Sequence, residues 1–242
     1  MKIKKHIPNA ITLLNLLFGT MAVIYAVKGL QLFAVYLILA ASVMDFLDGF
    51  TARALKAYSS IGKELDSLAD LVSFGLAPSL LLYNRYFPIS TELLSLLPLS
   101  IVLASAVRLA VFNVDTKQSK SFIGMPTPAN AILVSVFIHY TLYNSRFDTL
   151  WDNLWFYPVI SIILSYLLIS PIPMFSLKFS SLSFKENKIR FLFIGASALT
   201  IIPVILLKER WSLWLLLIFI SYIITNISVY IAAKVSTVSR KN

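Results

Sequence analysis

Apolar residues along this chain fall into eight long stretches separated by short polar segments. Each stretch holds about 17–25 residues, which is the length that an α-helix needs to cross the hydrocarbon core of a bilayer. The pattern predicts an all-α fold, a polytopic transmembrane helical bundle of about eight spans. These are expected at residues 8–27, 31–56, 62–83, 93–114, 127–143, 153–171, 190–207 and 211–233.

The composition supports a membrane protein and excludes several functions. Hydrophobic residues make up 58% of the chain and charged residues only 13%, whereas a soluble domain carries about 25% charged residues. The chain has no cysteine, so neither a disulfide framework nor a thiolate nucleophile is available. The formal net charge is +10, but the basic residues are spread over the loops between the apolar stretches. This distribution favours an anionic lipid surface over nucleic acid as their partner.

Basic residues alternate between rich and poor loops, and this alternation predicts the orientation. Most of the 21 lysines and arginines lie at the two termini and in the loops at 53–63, 115–126 and 172–190. Loops rich in lysine and arginine remain on the cytoplasmic side of a membrane. We therefore expect a multi-pass protein of the cell membrane with both termini in the cytoplasm.

Four aspartates interrupt two of the apolar stretches at helical spacing. Asp45 and Asp48 lie one turn apart in the second stretch, and Asp66 and Asp70 lie one turn apart in the third. Because the link between these stretches is short, the two helices should run antiparallel with their acidic faces together. At a rise of about 1.5 Å per residue, the four carboxylates should form one cluster just below the cytoplasmic surface.

This acidic cluster predicts a site for two divalent cations. Carboxylates gathered at low dielectric cannot all stay ionised without cations between them. Oxygen ligands select hard ions such as Mg²⁺ or Mn²⁺, and a pair of such ions suits displacement at phosphorus. Gly49 and Gly62 share the acidic faces and leave room for a bulky ligand, and Arg53 is placed to reach phosphate oxygens.

The residues around the cluster follow a longer pattern, Asp-x2-Asp-Gly-x2-Ala-Arg-x8-Gly-x3-Asp-x3-Asp. In this respect the chain resembles the CDP-alcohol phosphotransferase family. The pattern is matched by Asp45, Asp48, Gly49, Ala52, Arg53, Gly62, Asp66 and Asp70.

The resemblance implies transfer of a phosphatidyl-type group from a CDP-linked donor to an alcohol, with release of CMP. It implies that the four aspartates bind the two metal ions, with Asp70 also the general base. It further implies that Gly49, Ala52, Arg53 and Gly62 face the nucleotide. A six-helix catalytic core is expected, with the catalytic part at 1–143 and further transmembrane helices at 144–242 of a single membrane domain.

Three more stretches resemble the membrane-embedded phosphatidylserine synthases of that family, namely 70–78, 108–113 and 124–129. The resemblance implies CDP-diacylglycerol as donor and L-serine as acceptor. A serine carboxylate needs a cation opposite it, and Arg108 is the best candidate, with Asn113 and Lys120 as helpers.

Two alternatives remain open from the sequence. The same chemistry could use another alcohol, such as glycerol-3-phosphate or an inositol phosphate. A divalent-cation transporter is the alternative from another class, but the outer halves of the second and third stretches are almost wholly apolar. Small residues on the helices would also permit a homodimer.

Overall fold

The computed structural model describes residues 6–89, 93–114, 122–144, 148–174 and 188–239. Within these ranges the chain is almost entirely helical. The α-helices are α1 (His6–Val27), α2 (Gln31–Leu55), α3 (Ser60–Asp70), α4 (Ala77–Tyr86), α5 (Ser100–Val114), α6 (Thr127–Tyr143), α7 (Asp148–Trp151), α8 (Phe156–Ile169), α9 (Lys188–Leu199), α10 (Ile201–Leu206) and α11 (Trp211–Ser239).

Two helices of other types complete the bundle. A π-helix at Leu71–Leu76 joins α3 to α4, so that Ser60–Tyr86 is one continuous helical segment. A 3₁₀-helix at Leu93–Leu99 leads directly into α5.

Five helical segments in the described ranges are long and apolar enough to cross a membrane. They are His6–Val27, Gln31–Leu55, Ser60–Tyr86, Leu93–Val114 and Trp211–Val235. The three other predicted stretches form shorter helices, namely α6, α8, and α9 with α10. The helical fold is therefore confirmed, with five candidate membrane spans in the described ranges, and the number of eight spans and the cytoplasmic position of both termini stay predictions.

Helix α1 lies at the centre of the N-terminal half and packs against α2, α3, the π-helix and α4. It can approach them closely because its buried face consists of small and polar residues at helical spacing. This face comprises Thr12, Asn15, Gly19, Ala22 and Ala26.

Gly19 marks the closest approach of α1 to the π-helix. A Cβ atom at this position would lie 2.7 Å from the Cα of Ser73, which is too close for any side chain. The hydroxyl of Ser73 donates a hydrogen bond of 3.0 Å to the main-chain oxygen of Asn15. The π-helix is thus held against α1 by backbone contact as well as by a side chain.

A short antiparallel strand pair, which the all-α prediction did not include, ties α6 to α8. Strand β1 (Phe122–Ile123) pairs with β2 (Pro173–Met174). Gly124 follows β1 with a φ of 75°, and its N–H donates to the oxygen of Ile172 at 2.9 Å. This turn fixes the start of α6 close to the end of α8.

Helix α11 contacts the rest of the bundle mainly through α6. The rings of His139 and Trp211 lie 4.4 Å apart, and the guanidinium of Arg210 lies 3.7 Å from the ring centre of Tyr143. These contacts place the beginning of α11 beside the end of α6.

Candidate active site

Three of the four aspartates meet where α2 faces α3. Carboxylate oxygens of Asp45, Asp48 and Asp66 all lie within 4.8 Å of one another. The link between the helices is short because α2 ends at Leu55, with Lys56 after it in the left-handed conformation, and α3 begins at Ser60, with Ser59 as its N-cap. The hydroxyl of Ser59 accepts a hydrogen bond of 2.9 Å from the N–H of Gly62 and so caps α3.

The donor set of this cluster fits divalent cations. Asp48 Oδ2 and Asp66 Oδ1 are buried, and neither has a hydrogen-bond partner among the described residues. Carboxylates gathered at low dielectric without partners repel one another. Oxygen ligands at this spacing suit a hard cation such as Mg²⁺ or Mn²⁺.

Asp70 lies beside the cluster in a more enclosed position. It is only 8% exposed and interacts electrostatically with Asp45 and Asp66, but it is not among the three residues that gather within 4.8 Å. Its Oδ1 accepts a hydrogen bond of 3.3 Å from the side-chain amide of Asn15 on α1. Asp70 is thus held from α1 at the junction of α3 and the π-helix.

A cavity of about 220 Å³ opens next to the cluster between α1, α2 and α3. All four residues predicted to face the nucleotide line it, together with two of the aspartates. The lining consists of Pro8, Asn9, Thr12, Asp48, Gly49, Ala52, Arg53, Ala57, Tyr58, Ser59, Gly62, Lys63 and Asp66.

The two glycines of this cavity differ in how much room they leave. A Cβ on Gly49 would make ordinary contact with Arg53, at 3.5 Å from Nη1. A Cβ on Gly62 would lie 2.9 Å from both Asn9 Oδ1 and Ser59 Oγ. At Gly62, therefore, even a methyl group must displace two side chains of the cavity wall.

The residues predicted to bind the acceptor occupy different places. Arg108 on α5 is half-buried, lies within electrostatic range of Asp70, and donates from Nη1 to Thr127 Oγ1 at 3.2 Å. Asn113 donates to Ser67 Oγ on α3 at 2.9 Å and therefore joins the two helices. Lys120 lies outside the described residues.

Residues of α1 contribute more to the site than the sequence alone indicated. Asn9 and Thr12 line the cavity, and Asn15 contacts Asp70. Their spacing in the sequence puts them on one polar face of a helix, and such a face is as compatible with helix packing as with contact to a substrate. Thr127, the partner of Arg108, was not singled out, although it lies in the stretch at 124–129 that carries the family resemblance.

Comparison with known proteins adds an independent line of information. The sequence profile described as CDP-alcohol phosphatidyltransferase matches residues 5–177, which include the whole acidic pattern. The CDP-diacylglycerol–serine O-phosphatidyltransferase of Mycobacterium leprae is 35% identical over 175 residues, covering 69% of this chain and 57% of that protein.

Two further relatives bear the same name. The Helicobacter pylori (strain J99) protein is 40% identical over 133 residues, covering 52% of this chain and 54% of that protein. The Bacillus subtilis protein is 38% identical over 123 residues, covering 51% of this chain and 70% of that protein. The alignment thus spans just over half the length of the mycobacterial and Helicobacter relatives.

Proposed function

This chain belongs to the CDP-alcohol phosphatidyltransferase family, and we propose that it transfers a phosphatidyl group from CDP-diacylglycerol to the hydroxyl of L-serine. The products are phosphatidylserine and CMP. The main support is that seven of the eight residues of the acidic pattern meet around one cavity and one carboxylate cluster, with Asp70 beside that cluster. L-serine is proposed as acceptor because the relatives are named for that reaction.

The proposal includes two divalent cations, Mg²⁺ or Mn²⁺. Asp45, Asp48 and Asp66 would hold them, with Asp70 as a further ligand. When bound, such ions neutralise charge on the pyrophosphate and polarise its oxygens. The unpartnered carboxylate oxygens described above are what supports this assignment.

The chain's own residues then supply binding and proton transfer. Gly49, Ala52 and Gly62 form the wall along which the nucleotide lies, and Arg53 donates to phosphate oxygens. The hydroxyl oxygen of serine attacks the lipid-side phosphorus, and Asp70 accepts the hydroxyl proton. The bond between that phosphorus and the oxygen of CMP breaks, so CMP leaves. Arg108 pairs with the serine carboxylate.

Asp70 suits the role of general base because it stands apart from the three clustered carboxylates. Its contact with Asn15 orients the carboxylate through Oδ1, and Oδ2, which has no hydrogen bond among the described residues, can accept a proton. Burial also keeps water away from the reacting hydroxyl, which disfavours hydrolysis of the donor.

We further propose that the site faces the cytoplasm, where CDP-linked donors and serine are available, and that both termini lie on that side. The basic loops support this orientation. In this arrangement residues 1–143 form the catalytic part and 144–242 supply additional transmembrane helices. A homodimer is compatible with the small residues on the helices.

The decisive experiment measures CMP release by the purified protein with CDP-diacylglycerol and Mg²⁺ or Mn²⁺, with and without L-serine. Serine-dependent release supports both the reaction and the acceptor. If CMP is released with glycerol-3-phosphate or an inositol phosphate instead, the transfer reaction is supported but L-serine is refuted as the acceptor. Absence of release with every alcohol would refute the proposed reaction.

The role of Asp70 is tested in the same assay with Asp70→Asn, which should abolish turnover and largely spare binding of the donor. Asp152→Asn is a suitable control, because Asp152 is exposed and lies between α7 and α8, away from the acidic cluster. Full activity of Asp70→Asn would remove Asp70 from the role of base.

A further inference from the structure

Asn130 on α6 is a buried amide that the site described above does not use. Its side chain is 0% exposed, and neither its oxygen nor its nitrogen has a hydrogen-bond partner within the described part of the chain. Leaving a buried amide unpaired costs free energy, and native proteins rarely leave both atoms of one unpaired. A polar ligand at this position would remove the cost.

The position of Asn130 connects it to the acceptor side of the site. Arg108 on α5 donates to Thr127 on α6, so the two helices are in contact at that level. Ser105 lies one turn before Arg108, and Asn130 lies one turn after Thr127. At this spacing Ser105 shares the helix face of Arg108 on α5, and Asn130 shares the helix face of Thr127 on α6.

Ser105 shares the properties of Asn130. It is 0% exposed, and its hydroxyl has no hydrogen-bond partner among the residues that the structure covers. Its Cβ lies 3.1 Å from the place that a Cβ on Gly75 would occupy, so it touches the π-helix that follows Asp70. Helix α6 packs against the same π-helix.

Arg108 completes this group with a positive charge. Its Nε is buried and has no hydrogen-bond partner in the described ranges, so the guanidinium retains a donor that Thr127 does not use. The group therefore offers a cation next to neutral oxygen acceptors. An α-amino acid carries the complementary pair, a carboxylate and an ammonium on adjacent atoms.

We propose that Asn130 and Ser105 bind the ammonium group of the amino-acid acceptor, while Arg108 holds its carboxylate. This inference rests on the proposed function and adds the residues that would distinguish an amino acid from a simple alcohol. The side-chain oxygen of Asn130 and the hydroxyl oxygen of Ser105 accept hydrogen bonds from the ammonium. The acceptor hydroxyl is then directed towards Asp70, with which Arg108 already interacts.

The test variant is Asn130→Leu, which keeps the volume of the side chain and removes its polar atoms. The KM for L-serine should rise about tenfold or more, because a hydrogen bond to a charged group is lost. The KM for CDP-diacylglycerol should stay within about twofold of wild type. Thermal stability should not fall, since the variant removes a buried amide that has no partner in the described structure.

Ser135→Ala is the matched control on the same helix. Ser135 is also 0% exposed, and its hydroxyl also has no partner among the described residues, but it faces a different side of α6. This variant should leave the KM for L-serine unchanged. An equal rise in both variants would indicate a general effect of altering α6 and would overturn the proposal.

Two further measurements keep the proposal testable if Asn130→Leu does not fold. Ser105→Ala should raise the KM for L-serine several-fold. In wild type, 3-hydroxypropanoate, which lacks the ammonium, should have a much lower kcat/KM than L-serine. Ser105→Ala should reduce this difference in kcat/KM between the two acceptors. An unchanged serine KM in Ser105→Ala, or equal use of both acceptors by wild type, overturns the proposal.

The outcome is distinguishable from failure of the proposed function. If wild type releases no CMP with serine, the proposed reaction itself is refuted. If wild type is serine-dependent and the Asn130 and Ser105 variants keep its kinetics, only the ammonium site is refuted.

Discussion

Replacing Gly19 with alanine should impair catalysis without touching the active-site cavity. A Cβ at this position would lie 2.7 Å from Ser73 Cα, whereas ordinary contacts begin at 3.4 Å. Helix α1 and the π-helix would have to separate by the difference, about 0.7 Å. The Ser73 hydroxyl also lies in the way, and although it could rotate, the Cα is main chain, so a change of rotamer cannot relieve the clash.

The separation would act on Asp70 through Asn15, which lies one turn before Gly19 on the same face of α1. The contact between the Asn15 amide and Asp70 is 3.3 Å long, so an added separation of this size would carry it beyond hydrogen-bonding distance. The bond of 3.0 Å from Ser73 to the main-chain oxygen of Asn15 would also lengthen. Overpacking of this kind costs about 1–3 kcal/mol of stability.

We expect Gly19→Ala to lower kcat for CMP release by about tenfold or more, because a misplaced catalytic group loses its alignment with the reacting atoms. The midpoint of thermal unfolding in detergent should fall as well. Both are measured on the purified protein, with kcat determined at saturating CDP-diacylglycerol and serine.

Gly195→Ala provides the control. Gly195 lies in α9, and a Cβ there would meet nothing within 4 Å among the described atoms. This variant should keep full activity, and its stability should rise by up to about 1 kcal/mol because alanine favours the helix. Wild-type kcat in Gly19→Ala would refute the reasoning that the contact with α1 positions Asp70.

The remaining predictions concern the cavity, the metal and the orientation. Gly62→Ala should raise the KM for CDP-diacylglycerol, because its methyl group would lie 2.9 Å from Asn9 Oδ1 in the cavity wall; an unchanged KM would exclude that wall from donor binding. Chelation of divalent cations should lower the unfolding midpoint of wild type, and the drop should be smaller in Asp45→Asn, where a ligand is lost; equal drops would count against a metal at the cluster. Because the chain has no cysteine, Tyr58→Cys and Trp155→Cys can each be labelled alone. The first should react only from the cytoplasmic side and the second only from outside, and the reverse pattern would invert the orientation.

The acidic cluster could be predicted from sequence because it depends mainly on helical periodicity and a short link. Asp45 and Asp48 lie one turn apart and therefore share one face of α2. The link from Lys56 to Ser59 is so short that α3 must run back beside α2. The hydropathy pattern likewise predicted the helical stretches, since burial in lipid requires long apolar runs. These features follow from local rules.

The surroundings of Asp70 could not be predicted in the same way. The rise along the helix predicted that Asp70 joins the other three carboxylates in one cluster, but it left open how α3 and α1 are rotated against each other, and the structure places Asp70 beside the cluster. The contact with Asn15 and the π-helix after Asp70 depend on how closely Gly19 lets α1 approach. Tertiary packing determines such features, and the periodicity of polar and apolar residues in the sequence does not predict them.

Mutations on the two sides of the π-helix should cause two different kinetic defects, a lower kcat on one side and a higher KM for serine on the other. The π-helix contacts α1 through Ser73 and α5 through Gly75, so it adjoins both the proposed donor side and the proposed acceptor side of the site. A change on the α1 side moves Asp70, the proposed base, and it should therefore lower kcat with every acceptor. A change at Ser105, on the α5 side, alters recognition of the acceptor and should raise the KM for serine alone. Comparing Gly19→Ala with Ser105→Ala therefore tests whether positioning of the base and recognition of the acceptor are assigned to opposite sides of one helix.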